Sequence, residues 1–239
     1  FHKKITIKQM SNLAIIPARG GSKRINKKNI KYFFGKPIIS YSIETAINSN
    51  LFDEVMVSTD DLEIEKIAIS YGASVPFIRS KINSNDFATT IDVLNEVLDK
   101  YQKKGVEFEN ICCIYPTAPF ITIDKLVKGF NLLNNDIDSV IPVLNFDHSI
   151  WRSFSLDENE NLKYNWSEFT KSRSQDLIPA FHDAGQWYWF KWNKFKESRK
   201  LIFEKTKALH LSTFEAHDID TLDDWKLAEL KYEYLQSLK

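Results

Sequence analysis

Short runs of apolar and β-branched residues punctuate the chain at Leu13–Ile16, Glu54–Ser58, Val75–Ile78, Ile111–Ile114 and Ser139–Val143. Each is too short for a helix and largely apolar on successive positions, the pattern of a strand buried on both faces. Between them, apolar residues return at helical spacing. Ile38–Asn48 places Ile39, Ser42, Ile43, Ala46 and Ile47 along one stripe, and Asp61–Tyr71 does so with Ile64, Ile67 and Ala68 before Gly72 closes it. Thr90–Tyr101 buries Val93, Leu94, Val97 and Leu98, and Ile123–Leu133 buries Leu126, Val127, Phe130 and Leu133. Alternation of buried strand and amphipathic helix predicts an α/β domain, its mainly parallel sheet covered on both faces and its crossovers right-handed.

The alternation fails after Val143. From Leu144 to Asp183 aromatic residues (Trp151, Phe154, Tyr164, Trp166, Phe169 and Phe181) are scattered among charged ones. That is too aromatic for a disordered linker and too irregular for another strand–helix unit. An arm packing on a second subunit is the better reading, because aromatics and arginine are enriched at interfaces. A strand resumes at Trp187–Lys191, and Leu222–Leu238 is a closing helix that either Asp220 or Thr221 can cap. The expected layout is an N-terminal extension over 1–11 and one domain over 12–239, with 144–183 as its arm.

Charge changes this picture in one place only. The whole chain is balanced, with 32 basic and 32 acidic residues, which argues against a nucleic-acid or membrane surface. No apolar run approaches the roughly 20 residues needed to span a bilayer. Cys112 and Cys113 are adjacent, so they alternate faces of a strand and cannot pair; they read as core residues of a reducing compartment. Phe1–Gln9 lacks the apolar core of a signal peptide, and the cytoplasm is the expected location. Yet between Pro17 and Lys36 there is no acid at all, while Arg19, Lys23, Arg24, Lys27 and Lys28 crowd around Gly20, Gly21 and Ser22.

A buried strand that opens into such a loop offers backbone N–H groups and cations to one point, as a polyphosphate requires. The glycine pair alone could serve a tight turn and the lysines a solvated face. However, Lys23, Lys27 and Lys28 cannot share one face of a turn without an anion to neutralise them. The loop is neither a Walker A sequence nor GxGxxG, which disfavours P-loop NTPases and dehydrogenases.

Other candidate chemistry lies downstream. Asp218 and Asp220 alternate in an extended segment, so their carboxylates face one side; such a pair suits Mg²⁺ completed by substrate phosphates. Helix capping is the competing reading for Asp220, but not for Asp218. The segments Arg79…Asp86-Phe87-Ala88-Thr89-Thr90 and Tyr115-Pro116-Thr117-Ala118-Pro119 follow strands, where open α/β sheets bind ligands, although either threonine could be only an N-cap. Arg173 is suited to a substrate carboxylate. His182 and Asp183 invite an acid/base reading, against which stands the tendency of adjacent side chains to diverge.

The loop Ile16-Pro-Ala-Arg-Gly-Gly-Ser-Lys…Lys28-Asn29, Asp-Phe-Ala-Thr-Thr, Arg173-Ser-Gln-Asp-Leu and Asp-Ile-Asp-Thr occur in an order that resembles the CMP-sialic acid synthetase family, from about Asn12 to the C-terminal helix. Arg152-Ser-Phe-Ser-Leu and Phe181-His-Asp-Ala-Gly are similar to the branch acting on pseudaminic acid, where the neuraminic acid branch usually has Asn-Gly in place of Asp183-Ala184-Gly185. The resemblance implies a Rossmann-like sheet of the nucleotide-diphospho-sugar transferase type with a small dimerisation arm. It implies transfer of CMP from CTP to the anomeric hydroxyl of a nonulosonic acid, with Mg²⁺ as cofactor and a homodimer as the working unit.

By motif position, Arg19, Gly20, Gly21, Ser22, Lys23, Lys28 and Asn29 would meet the triphosphate, and Arg79, Ala88 and Thr90 the cytosine. Asp218 and Asp220 match the family's metal carboxylates, and Arg173 an arginine that reaches the sugar from the partner subunit. Tyr115, Gln175, His182, Asp183 and Gln186 complete the expected sugar side, with Lys28, Arg19 and Asp218 as the catalytic set. The proton acceptor stays open between Asp218 and a metal-held hydroxide. Tyr115 stands where sialic acid synthetases carry Gln. A phenol cannot copy an amide, so a sugar other than N-acetylneuraminic acid is expected, pseudaminic acid first and legionaminic acid as an alternative. A CTP-binding module without turnover is the remaining alternative, disfavoured by the paired aspartates.

Overall fold

The computed structural model describes residues 8–238. In chain order the elements are β1 (Lys8–Pro17), the short hairpin strands β2 (Tyr32–Phe33) and β3 (Lys36–Pro37), α1 (Ile39–Asn48), β4 (Glu54–Ser58), α2 (Leu62–Ser70) and α3 (Thr90–Lys103). There follow β5 (Val106–Ile114), α4 (Ile123–Leu132), β6 (Ser139–Asn145), β7 (Phe154–Leu156), β8 (Leu162–Tyr164), β9 (Phe181–Asp183) and β10 (Trp187–Lys191). The chain closes with α5 (Trp192–Ser198), β11 (Thr206–His210) and α6 (Leu222–Ser237).

Among the described residues seven strands form one sheet, ordered β11-β6-β10-β5-β1-β4, with β9 also paired to β6. The pairs β1–β4, β1–β5 and β11–β6 are parallel, while β10 runs antiparallel between β5 and β6. The sheet is therefore mixed, with a mainly parallel core, in an α/β fold. Helices α1, α2 and α4 cover one face through Ile39, Ile43, Ile64, Ala68 and Leu126 against Ala14, Ile16, Val57, Cys112, Trp187 and Trp189. Helices α3 and α5 cover the other through Val93, Leu94, Val97, Leu98, Trp192 and Phe195 against Leu13, Ile15, Met56, Cys113 and Phe190. The two cysteines thus lie on opposite faces, both buried and free. Helix α4 approaches the sheet closely at Gly129, where a Cβ would lie 2.7 Å from Trp187 Cζ3.

The pattern reading and the molecule part company at two places. Val75–Ile78 is not a strand: only Ser74 bridges to Met56, and Pro76 has no N–H to extend the ladder. β1 begins at Lys8 and pairs with β5 from Lys8↔Val106 onward, inside the stretch expected as an extension; residues 1–7 lie outside the described residues. Over 144–183 the chain leaves the sheet at the end of β6 and returns as β9, with Val143↔Asp183 in register. Its excursion holds the β7–β8 hairpin and single helical turns, and its apolar side chains Leu156 and Leu162 are 64% and 67% exposed.

Candidate active site

The carboxyl ends of β1 and β5 open into a cleft of about 370 Å³, lined by the glycine loop, the start of α3, the segment after β5, and Asp218 and Asp220. The loop is shaped by packing rather than by positive φ at its glycines. Gly20 donates its N–H to Asp60 Oδ1 at 3.0 Å, and a Cβ there would lie 2.6 Å from Asp61 Oδ2. Asp61 cannot give way, because its carboxylate caps α2 by accepting from the N–H groups of Glu63 and Ile64 at 2.7 and 3.1 Å. Gly21 meets nothing within 4 Å, so only the first glycine is demanded by close approach. Buried Asn29 donates to the Arg19 carbonyl at 2.9 Å and ties the loop to itself.

The crowded cations are separated. Lys27, in the left-handed region at φ 49°, turns away and pairs with Glu63 on α2. Arg19 Nη1 pairs with Asp86 Oδ1 at 2.9 Å, and Lys23 pairs with the same carboxylate. Arg24 Nη2 lies 2.8 Å from Asp220 Oδ1, and Lys28 Nζ lies 3.4 Å from that oxygen while donating to the Ile219 carbonyl at 2.6 Å. The expectation that three lysines share one face and await an anion is corrected here. Lys27 leaves the site, and the others are met by Asp86 and Asp220, contributed by distant parts of the chain.

Both ambiguous caps are resolved. Thr221 caps α6, in a reciprocal box with Asp224, which leaves the Asp220 carboxylate to the cations. Thr89 caps α3, in the same kind of box with Asp92, which frees the Thr90 hydroxyl to lie 3.4 Å from Tyr115 Oη. Asp218 lines the cleft with no cation paired to it among the described residues. Although solvent reaches it, the protein packed around it and the neighbouring Asp220 push its pKa up. A carboxylate whose charge is disfavoured, beside a second carboxylate, is a donor set that a hard divalent cation compensates. Asp218 and Asp220 therefore fit Mg²⁺, with substrate oxygens completing the shell.

At the base of the cleft Arg79 is buried, donating Nε to Ser58 Oγ at 3.0 Å and Nη2 to the Ser58 carbonyl. Burial lowers its pKa to about 10, which leaves it charged at neutral pH. Ala88 and Thr90 line the same space, as does Tyr115. Its backbone is pinned by Tyr115 N–H to the Gln186 carbonyl at 2.8 Å and by Ser42 Oγ donating to the Tyr115 carbonyl at 2.7 Å.

A second cavity of about 510 Å³ adjoins the first and shares Asp218 with it. His182, Phe146, His217 and Lys231 line it. His182 lies tilted against Phe146 at 4.9 Å between ring centroids, and its Nδ1 meets the Asp183 backbone carbonyl, not the carboxylate. No His182–Asp183 dyad forms. Asp183 instead accepts from the Tyr188 hydroxyl and, at 2.8 Å, from the Gly185 N–H. Gln186 is buried with its amide donating to the Glu215 carbonyl at 2.6 Å. Arg173 and Gln175 stand exposed on the arm and line neither cavity of this chain; Arg173 pairs with Asp176 at 2.8 Å. Sequence reasoning missed the roles of Asp86 and Arg24, whose partners are remote, and Tyr188, which reads as an ordinary core aromatic.

A cleft of this kind, on a mixed sheet with a parallel core, defines a nucleotide-handling α/β enzyme. A sequence model described as Cytidylyltransferase matches residues 13–237, and the chain belongs to that family of nucleotidyltransferases. It is 40% identical over 224 residues to a pseudaminic acid cytidylyltransferase of Campylobacter jejuni, covering 93% of this chain and 97% of that one. It is 34% identical to a CMP-N,N'-diacetyllegionaminic acid synthase of Legionella pneumophila, over 92% and 95% of the two chains. Its fold is similar to that of a CMP:2-keto-3-deoxy-manno-octonic acid synthetase solved with CTP (TM-score 0.68, 17% identity, 95% of this chain and 99% of that one).

Proposed function

We propose that this protein transfers CMP from CTP to the anomeric hydroxyl of pseudaminic acid, releasing pyrophosphate, as a homodimer in the cytoplasm. One arrangement carries the reading. A cleft holds Arg19, Lys23, Arg24 and Lys28 at one end and buried Arg79 at its base, with Asp218 at the border of a second cavity. The four cations face the triphosphate. Arg79, Ala88 and Thr90 hold the base, and the sugar enters the adjoining cavity. The anomeric oxygen attacks the α-phosphorus, the bond to the bridging oxygen breaks, and the hydroxyl proton passes to Asp218. Lys28 and Arg19 stabilise the charge that develops on the departing pyrophosphate, and the cleft acts by positioning and electrostatics. When bound by Asp218 and Asp220, Mg²⁺ supplies further neutralisation of the phosphates.

The relatives' names carry three acceptors, pseudaminic, N,N'-diacetyllegionaminic and N-acylneuraminic acid, with pseudaminic acid at the highest of these identities. Tyr115, standing where sialic acid synthetases carry Gln, favours an acceptor other than N-acetylneuraminic acid. The test is pyrophosphate release from CTP with each of the three sugars, with and without EDTA. Turnover highest with pseudaminic acid and abolished by EDTA is expected. Preference for N-acetylneuraminic acid would overturn the reading of Tyr115, and binding of CTP without pyrophosphate under any sugar would leave only a binding module.

A further inference from the structure

We propose that Tyr188 is a positioning residue for the reaction: its hydroxyl holds the Asp183 carboxylate, and with it the Gly185 turn that lies beside the Asp218 side chain. The proposal rests on the reading of Asp218 as a reaction-centre residue. Tyr188 sits in the middle of β10, paired with Cys113 of β5 and 5% exposed. Its ring lies edge-on to Tyr115 at 5.5 Å between centroids, and the two hydroxyls are 3.4 Å apart. The same hydroxyl donates to one oxygen of Asp183, whose other oxygen accepts the Gly185 N–H at 2.8 Å. Gly185 adopts φ +63°, a conformation that side chains rarely take, and a Cβ there would point at Asp218, 3.7 Å from Cγ and 3.8 Å from Oδ1.

The contacts run in one line from Thr90 and Tyr115 on the nucleotide side through Tyr188 to Asp183 and Gly185, and the Gly185 turn lies beside Asp218 at the second cavity. Each Asp183 oxygen accepts a hydrogen bond inside this line, so the carboxylate is held at both ends. The residue therefore serves geometry more than it serves a ligand. Burial and the Asp183 charge push the Tyr188 pKa far up, so its hydroxyl remains a donor throughout the working pH range. Removing that donor would leave Asp183 free to rotate and Gly185 free to drift from Asp218. A displacement of about 1 Å near a reacting group costs on the order of 10²-fold in rate, so a partial loosening sets the scale of the expected effect.

The test is Tyr188→Phe in the full chain, which keeps the buried ring and deletes one oxygen. Circular dichroism and thermal midpoint should match wild type, while kcat falls about tenfold and KM for CTP stays within about twofold. Asp183→Ala should cause a similar loss, and the double variant should be no worse than either single one, because both break the same link. Additive losses, or kcat of Tyr188→Phe within about twofold of wild type, overturn the proposal. Amide exchange at Gly185 supplies a readout independent of turnover, expected to be at least about tenfold faster in Tyr188→Phe. Unchanged protection there sinks the proposal even if no sugar tested is a substrate, and a silent wild type with altered protection sinks the proposed reaction alone.

Discussion

At the residue scale the cleft is preloaded with its own anions. Asp86 bridges Arg19 and Lys23, and Asp220 engages Arg24 and Lys28, so a triphosphate must displace carboxylates to reach the cations. The Asp86 pairs face solvent and are individually weak. Releasing both Asp86 contacts would therefore cost a ligand only a small factor in affinity, about fivefold at most. Asp86→Asn should then lower the CTP dissociation constant by up to about fivefold by calorimetry, whereas Lys28→Ala should reduce kcat about 10²-fold or more, as loss of an oxyanion donor does. A weaker CTP complex in Asp86→Asn would show that Asp86 assists binding and does not compete with it. The basic loop stood out in the sequence because its cations are contiguous. The identity of the competing anions did not, since Arg24 and Asp220 are separated by 196 positions.

At the element scale the site depends on how two helices begin. Both α3 and α6 start with a Thr–Asp box, and in each case the residue beside the cap, Thr90 or Asp220, faces the cleft. The capping chemistry was visible in sequence, but not which neighbour would cap and which would be left for ligand; only the backbone angle at the boundary decides that. A third anchor lies deeper on α3. Glu96 is opposed by burial, yet hydrogen bonds from Lys100, Ser80 and Asn83 outweigh it and hold its pKa at about 2 against an ordinary 4.5. The segment after Arg79 is thereby clamped to the helix. Because the folded pKa is depressed, this contribution is complete above pH 4.5 and is lost as pH falls toward about 2. Glu96→Gln should cost about 1.5–3 kcal/mol at neutral pH, and urea titrations should show that gap closing as the solution is acidified. A gap constant with pH would mean that the carboxylate charge contributes nothing.

At the scale of the whole molecule, strand–helix alternation was enough to read the parallel core, because buried runs and amphipathic stripes are local signals. The insertion of antiparallel β10 between β5 and β6, and of β11 beyond β6, was not readable, since strand order is fixed by pairings remote in sequence. The arm is a separate case. It carries Leu156, Leu162 and Ile178 exposed and sets Arg173 at the surface away from both cavities of its own subunit. If this face packs on a second copy, each sugar site is completed by the partner's arm, and the active unit is the dimer. Subunit mixing tests this more sharply than light scattering. Lys28→Ala and Arg173→Ala proteins should each be nearly inactive alone. Unfolded together and refolded, they form mixed dimers in which one site of two unites an intact Lys28 with an intact Arg173. Random pairing makes about half the dimers mixed, so about a quarter of wild-type activity should return. Leu162→Asp in both proteins should abolish the recovery by breaking the contact that brings the arms across. If Arg173 acts within its own subunit, mixing restores nothing, and a monomeric wild type would fail in the same way.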